Sequence, residues 1–155
     1  MSNRSKVPHE TTLLVRDCCL SLHVQRAARA LARRFNEALR PLDLTNGQFS
    51  LLMSLNRPQP PPMAAVASLL AMDRTTLTAA LKPLERRGLV TVTADPGDRR
   101  SRLMALTPKG MTLLARAVPT WERTHQEIEG LLPDGDPNRL RNALRALSAG
   151  GKSPS

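Results

Sequence analysis

Apolar residues recur at spacings of three and four from Leu13 to Arg40, at Leu20, Val24, Ala27, Ala28, Leu31, Phe35, Ala38 and Leu39. That period predicts one long amphipathic helix, closed by Pro41. Arg26, Arg29, Arg33, Arg34 and Arg40 lie mostly off its apolar stripe. A shorter helix fits Gly47 to Leu55, capped by Thr45 or Asn46, with Phe49, Leu52, Met53 and Leu55 inward. Arg57 to Pro62 holds four prolines and reads as an extended connector. Two helices then follow closely. Met63 to Ala71 carries Ala64, Val66, Ala67, Leu69 and Leu70; after a break at Met72-Asp73, Arg74 to Arg87 carries Leu77, Ala80, Leu81 and Leu84. Asp73 is suited to the N-cap of the second, and Gly88 to the position after its end.

Beyond Gly88 the period falls to two. Leu89 to Thr93 and Arg102 to Leu106 predict a hairpin, with turn chemistry at Ala94-Asp95-Pro96-Gly97-Asp98 and a tip bearing Asp98, Arg99 and Arg100. Thr107-Pro108 opens a helix whose apolar side is Met111, Leu114, Ala115, Val118, Trp121 and Ile128, with a kink expected at Pro119. A last helix from Asp136-Pro137 is expected to bury Leu140, Ala143, Leu144 and Leu147. The ends, residues 1–10 and 149–155, are expected to be loose. The fold class is mainly α with a small β-hairpin wing, in a single domain over residues 11–148.

Charge narrows the partner. Lys and Arg number 23 against 13 Asp and Glu, a net +10 over 155 residues. Such an excess favours a polyanion, through release of its condensed counterions. Aromatic residues make up only 2% and Tyr is absent, which argues against the stacking platforms of a single-strand binder. No apolar run approaches the roughly 18 residues of a membrane span, and no secretory signal opens the chain. The two cysteines, Cys18 and Cys19, are adjacent and do not look like a disulfide framework, so a cytoplasmic location is expected.

Between Met63 and Leu106 lie a short helix, a tight break, a second helix and a basic hairpin. A break this short forces the two apolar stripes together at a steep angle. The outer face of the second helix then presents Arg74, Thr75, Thr76, Thr78 and Lys82, as a recognition helix presents side chains to a major groove. Arginine reads a guanine edge with two hydrogen bonds, and a threonine methyl meets that of thymine. Arg99 and Arg100 suit a narrow minor groove. Taken singly, these residues equally describe a capped helix start and a solvated turn; their order is the more specific signal.

Asp73-Arg74-Thr75-Thr76-Leu77, Leu84-Glu85-Arg86-Arg87-Gly88-Leu89-Val90, Asp95-Pro96-Gly97-Asp98-Arg99-Arg100 and Leu106-Thr107-Pro108-Lys109-Gly110 together resemble the MarR family of bacterial transcription regulators. Leu42 to Phe49 resembles the segment joining that family's first two helices, and the likeness spans roughly Leu20 to Leu147. It implies a winged helix-turn-helix at about 45–107 and a homodimer layer formed by helices at about 13–40 and 108–148. The implied partner is a pseudo-palindromic double-stranded DNA operator. Asp98 would brace the wing, and Arg100 would enter the minor groove. Pro83 departs from the family pattern, since it removes a donor and crowds the Ala79 carbonyl at a cost of roughly 3 kcal/mol. A bend there, or displacement of the helix's second half, is expected. The proline-rich connector also leaves the strand often found before the helix-turn-helix short or absent.

The resemblance further implies a repressor released by a signal, and several inputs stay open. His23, Arg26, Phe49, Met53 and Trp121 could enclose a small aromatic carboxylate or phenolic effector, with Arg26 or His23 holding the acid. Phe49 and Met53 could equally be plain core. Cys18 and Cys19 could sense oxidants, with a helix start and Arg16 favouring the thiolate, or could be packed apolar thiols. Cys19 and His23, one turn apart, could supply two zinc ligands, and Asp17 a third, but no complete ligand set is evident, so no metal or cofactor is expected. His9, His23 and His125 have no motif spacing, and no phosphate loop or nucleophile motif is present, so an enzyme is not expected. A non-specific nucleoid or RNA-binding protein would share the charge but not the discrimination between operator and random duplex.

Overall fold

The computed structural model describes residues 6–149. Seven helices and one hairpin follow in the order α1 (His9–Cys18), α2 (Leu20–Leu39), α3 (Asn46–Ser54), α4 (Met63–Leu70), α5 (Arg74–Arg86), β1 (Val90–Asp95), β2 (Asp98–Leu106), α6 (Pro108–Glu129) and α7 (Pro137–Ala149). A 3₁₀ turn at Arg40–Leu42 joins α2 to α3.

The long first helix expected from the periodicity is two helices. Cys19 adopts an extended backbone (φ −70°, ψ 110°) that ends α1 and begins α2. His9 and Glu10 already belong to α1, inside the stretch expected to be loose; Met1 to Ser5 and residues 150–155 lie outside the described residues. Of the α2 stripe only Phe35 and Leu39 are buried, while Leu20, Val24 and Leu31 are exposed.

α3 starts with a capping box. The Gln48 N–H donates to Thr45 Oγ1 and the Thr45 N–H to Gln48 Oε1, both at 3.1 Å, so Thr45 is the cap. Phe49, Leu51, Leu52 and Leu55 turn into the core, but Met53 is exposed. α4 ends at Ala71, whose left-handed backbone (φ 52°) reverses the chain toward Asp73. Leu77, Leu81 and Leu84 of α5 then pack into the same core as Val66 of α4. Leu81 and Leu84 flank Pro83 and are both buried, and α5 continues through it to Arg86.

The hairpin is longer than its pattern suggested, because its ladder runs from Val90–Leu106 to Asp95–Asp98 with a register shift at Ala94/Asp95. Asp98, Arg99 and Arg100 therefore belong to β2 rather than to a loop. The connector strand is reduced to one bridge: Pro62 faces Leu103, and the Met104 N–H donates to the Pro61 carbonyl at 3.2 Å. Prolines lack the donor that would extend the ladder.

α6 runs unbroken past Pro119, which is exposed. Its start is set by Thr107, whose side chain accepts from the Gly110 N–H (3.0 Å) and donates to the Gly88 carbonyl (2.6 Å). On α7 the expected burial is absent within one chain. Leu140, Leu144 and Leu147 are exposed, as are Leu14 and Val15 of α1.

At Gly110 a Cβ would overlap the Leu89 carbonyl oxygen and lie 3.0 Å from its carbon. Gly110→Ala is therefore expected to lower unfolding free energy by about 1–3 kcal/mol in urea titrations. Gly47→Ala, which meets only Thr45 Oγ1 at 4.0 Å, should be near neutral in the same titrations.

Candidate nucleic-acid interface

α5 is anchored at its start by Asp73. The carboxylate accepts the Thr76 N–H at 2.7 Å and the Thr76 hydroxyl at 3.0 Å. These bonds, the backbone one first, hold the Asp73 carboxyl below its ordinary range. With Leu77, Leu81 and Leu84 turned inward, Arg74, Thr75, Thr78 and Lys82 stay exposed on the outer face.

These four side chains wall an open cleft of about 720 Å³, and Arg100 and Arg102 of β2 form the opposite wall. Met63 and Val92 also line it. The Arg74 guanidinium donates to the Arg100 carbonyl at 3.4 Å, a long bond that ties helix to wing. Asp98 accepts the Arg100 N–H at 3.0 Å, a local bond at the start of β2. Thr78 donates its hydroxyl to the Arg74 carbonyl at 2.8 Å.

The expected set is altered at three positions. Thr76 uses its hydroxyl on Asp73 and does not line the cleft. Arg99 is exposed but outside the cleft walls. Arg102 joins the cleft, although the sequence reading passed over it. Its signal was the two-residue period of a strand, which puts Arg100 and Arg102 on one face and Arg99 on the other. Glu85, three turns along α5 from Arg74, is the one carboxylate lining the cleft.

The five residues expected to enclose an effector are divided. Phe49 and Met53 of α3, Leu69 and Leu70 of α4, and Val118 and Trp121 of α6 line a groove of about 370 Å³ with no charged side chain. Phe49 and Trp121 stack at 6.2 Å, and His125, which the sequence reading did not place here, stacks on Trp121 at 4.6 Å. Its signal was the four-residue step along α6. His23 and Arg26 instead line a separate trough on α2, because they lie beyond the half of that helix that enters the core.

Cys18 is exposed at the C-terminal end of α1, not near a helix start, and only Cys19 precedes α2. Arg16, expected to attend the thiols, is paired with Asp17 at 2.7 Å.

An exposed helix start beside a cationic hairpin defines a winged helix-turn-helix DNA-binding protein. The sequence model of the MarR family matches residues 44–101, from the approach to α3 through most of the wing. The transcriptional regulator HosA of Escherichia coli O111:H- is 31% identical over 105 residues, which cover 68% of this chain and 78% of HosA. Among solved structures, the transcriptional regulator MosR of M. tuberculosis in complex with DNA is 36% identical, with a TM-score of 0.77 over 84% of this chain and 93% of MosR. BpsR of Bordetella bronchiseptica, whose DNA binding is regulated by 6-hydroxynicotinic acid, is 28% identical, with a TM-score of 0.74 over 84% and 93% of the two chains. The chain belongs to the MarR family and is a DNA-binding transcription regulator.

The Asp73 cap generates a pH test. A carboxyl held low in the folded state stabilises above its unfolded pKa, and that contribution is lost as pH falls through the lower folded value. Asp73→Asn still caps the helix but does not titrate. The stability gap between parent and Asp73→Asn should therefore shrink on acidification, as read by thermal melts from neutral pH to below pH about 4.

Proposed function

We propose that the protein is a homodimeric repressor that reads a pseudo-palindromic operator with two copies of the cleft and is released by a small aromatic or phenolic ligand. The observation that carries this reading is the juxtaposition of Arg74, Thr78 and Lys82 with Arg100 and Arg102 around one open cleft. The α5 side supplies the reading groups for a major groove, and the arginines of β2 supply minor-groove and phosphate contacts. A DNA reader works where the chromosome lies, and no helix among the described residues is long and apolar enough to cross a membrane.

The dimer is supported by apolar side chains that one chain leaves uncovered. Leu14 on α1, Leu20 on α2, and Leu140, Leu144 and Leu147 on α7 are between 39% and 67% exposed. Helices with unburied leucine faces gain by covering them against a second copy. Two clefts related by a two-fold axis then match two half-sites.

The effector reading is narrowed by the groove at Phe49, Met53 and Trp121. Its apolar walls suit a flat ring; 6-hydroxynicotinic acid, which regulates BpsR, is such a ring but carries a carboxylate for which these walls offer no cation. With no cation along the walls, a phenol or other weakly polar ring is favoured over a bare carboxylate.

The decisive measurement compares operator with random duplex at fixed salt, by anisotropy. Arg74→Ala should cost about 1–3 kcal/mol at the preferred site and relax base preference. Arg100→Ala should weaken every duplex and reduce the salt slope by about 1. Intact discrimination in Arg74→Ala would place the reading face elsewhere.

Trp121 is the sole tryptophan and reports directly on the groove. Titration with phenols, benzoates and hydroxynicotinates should change its emission and release operator together, with phenols acting at lower concentration. Release without any change in Trp121 emission would remove the groove from the effector path.

A further inference from the structure

We propose that the trough on α2 is a binding site for a small anion carrying two adjoining phosphate groups, separate from both the DNA cleft and the aromatic groove. The trough measures about 490 Å³ and is lined by His23, Arg26, Arg29 and Arg33, with Ala27 and Ala30 between them. The two alanines are too short to fill the space between the longer side chains, so an open channel remains along the helix.

Charge is what marks this face. Among the described residues none of Arg26, Arg29 and Arg33 takes part in an ion pair. The one acidic residue of α2, Glu37, is held by Arg40. Asp17, just before the helix, is held by Arg16. Like charges three and four residues apart repel, so the row works against the helix that carries it unless an anion neutralises it.

Geometry selects the class of anion. Arg26 to Arg33 spans about 10 Å of helix axis, two turns with a guanidinium at each step. One carboxylate is satisfied by a single bidentate arginine, whereas three forks in a row match the oxygens and multiple charge of adjacent phosphates. His23 closes one end. Its Nδ1 donates to the Cys19 carbonyl at 2.8 Å, which leaves Nε2 as the free ring nitrogen.

Position separates this face from the other surfaces. By the helical period, Leu20, Val24 and Leu31 share one side of α2 and Arg26, Arg29 and Arg33 another. The dimer contact proposed for the leucines therefore leaves the arginines to a different occupant. DNA is the other source of adjoining phosphates, but its cleft is built from α5 and β2.

The test is titration calorimetry of the full-length protein with inorganic pyrophosphate at constant ionic strength, with sulfate as comparison. Saturable binding at least about tenfold tighter than sulfate is expected. The variant carrying Arg26→Gln, Arg29→Gln and Arg33→Gln should lose about tenfold or more of that affinity while keeping operator affinity. Arg29→Gln alone should weaken pyrophosphate in part, and serves if the triple variant does not fold. No preference over sulfate would overturn the proposal. So would unchanged pyrophosphate binding in the variants, which would put the anion in another basic site. Loss of operator affinity in the triple variant would assign the face to DNA and overturn it too.

Discussion

The helix-turn-helix and its hairpin join the long α6 at a tight backbone seam. The Leu89 carbonyl accepts the Thr107 N–H at 3.0 Å, and Gly110 lies so close beneath it that no side chain fits between. Thr107 also caps α6 and bonds the Gly88 carbonyl. Gly88 ends the turn after α5 in the left-handed region (φ 70°), and Leu89 leads into β1. Recognition helix, wing and α6 thus meet within a few residues, through backbone atoms that have little room to adjust.

The same α6 reaches the aromatic groove. α6 carries Trp121, which stacks on Phe49 of α3 on one side and on His125 on the other. His125 lies 3.4 Å from Glu129, and Glu129 accepts from Arg141 of α7 at 2.8 Å. The hydrogen bond from Arg141 is the main reason the Glu129 carboxyl is held below its ordinary range. The aromatic groove therefore sits on a continuous run of contacts from the helix-turn-helix core to the helix whose leucines face outward. Trp121 thus lies between the Phe49 stack and the His125–Glu129–Arg141 contacts, and α6 is bonded to the Gly88–Leu89 turn at its start and to α7 near its end.

Charge is arranged by the same economy. The core is a cluster of leucines with Phe, Met, Val and Ala, and every strongly basic row lies on a surface. On α5 and β2 the basic side chains converge across a cleft; on α2 they line up along a single helix. These two basic surfaces lie apart, and other basic side chains, such as Arg87, Lys109 and Arg116, gather elsewhere.

Much of this was legible in the residues. Thr45, Asp73 and Thr107 cap the helices they were expected to cap, Gly88 follows α5, and the period-two stretch became the wing, because capping and alternation depend on neighbours a few residues apart. The break at Cys19 was not legible, since the apolar spacing runs through it without a Gly or Pro to mark it. At Pro83 the helix assignment continues to Arg86, with Leu81 and Leu84 near it both buried.

The chain alone determined its local elements, its charge and its resemblance to a family of DNA readers. Only the tertiary structure decided that the β2 face carrying Arg100 and Arg102 meets Arg74, and that His23 and Arg26 stand apart from Phe49, Met53 and Trp121. The reason is the range of the forces involved. Capping bonds and side-chain periods act within a turn or two of the chain. Which distant side chains face one another is set by how whole helices pack, and no local pattern encodes that.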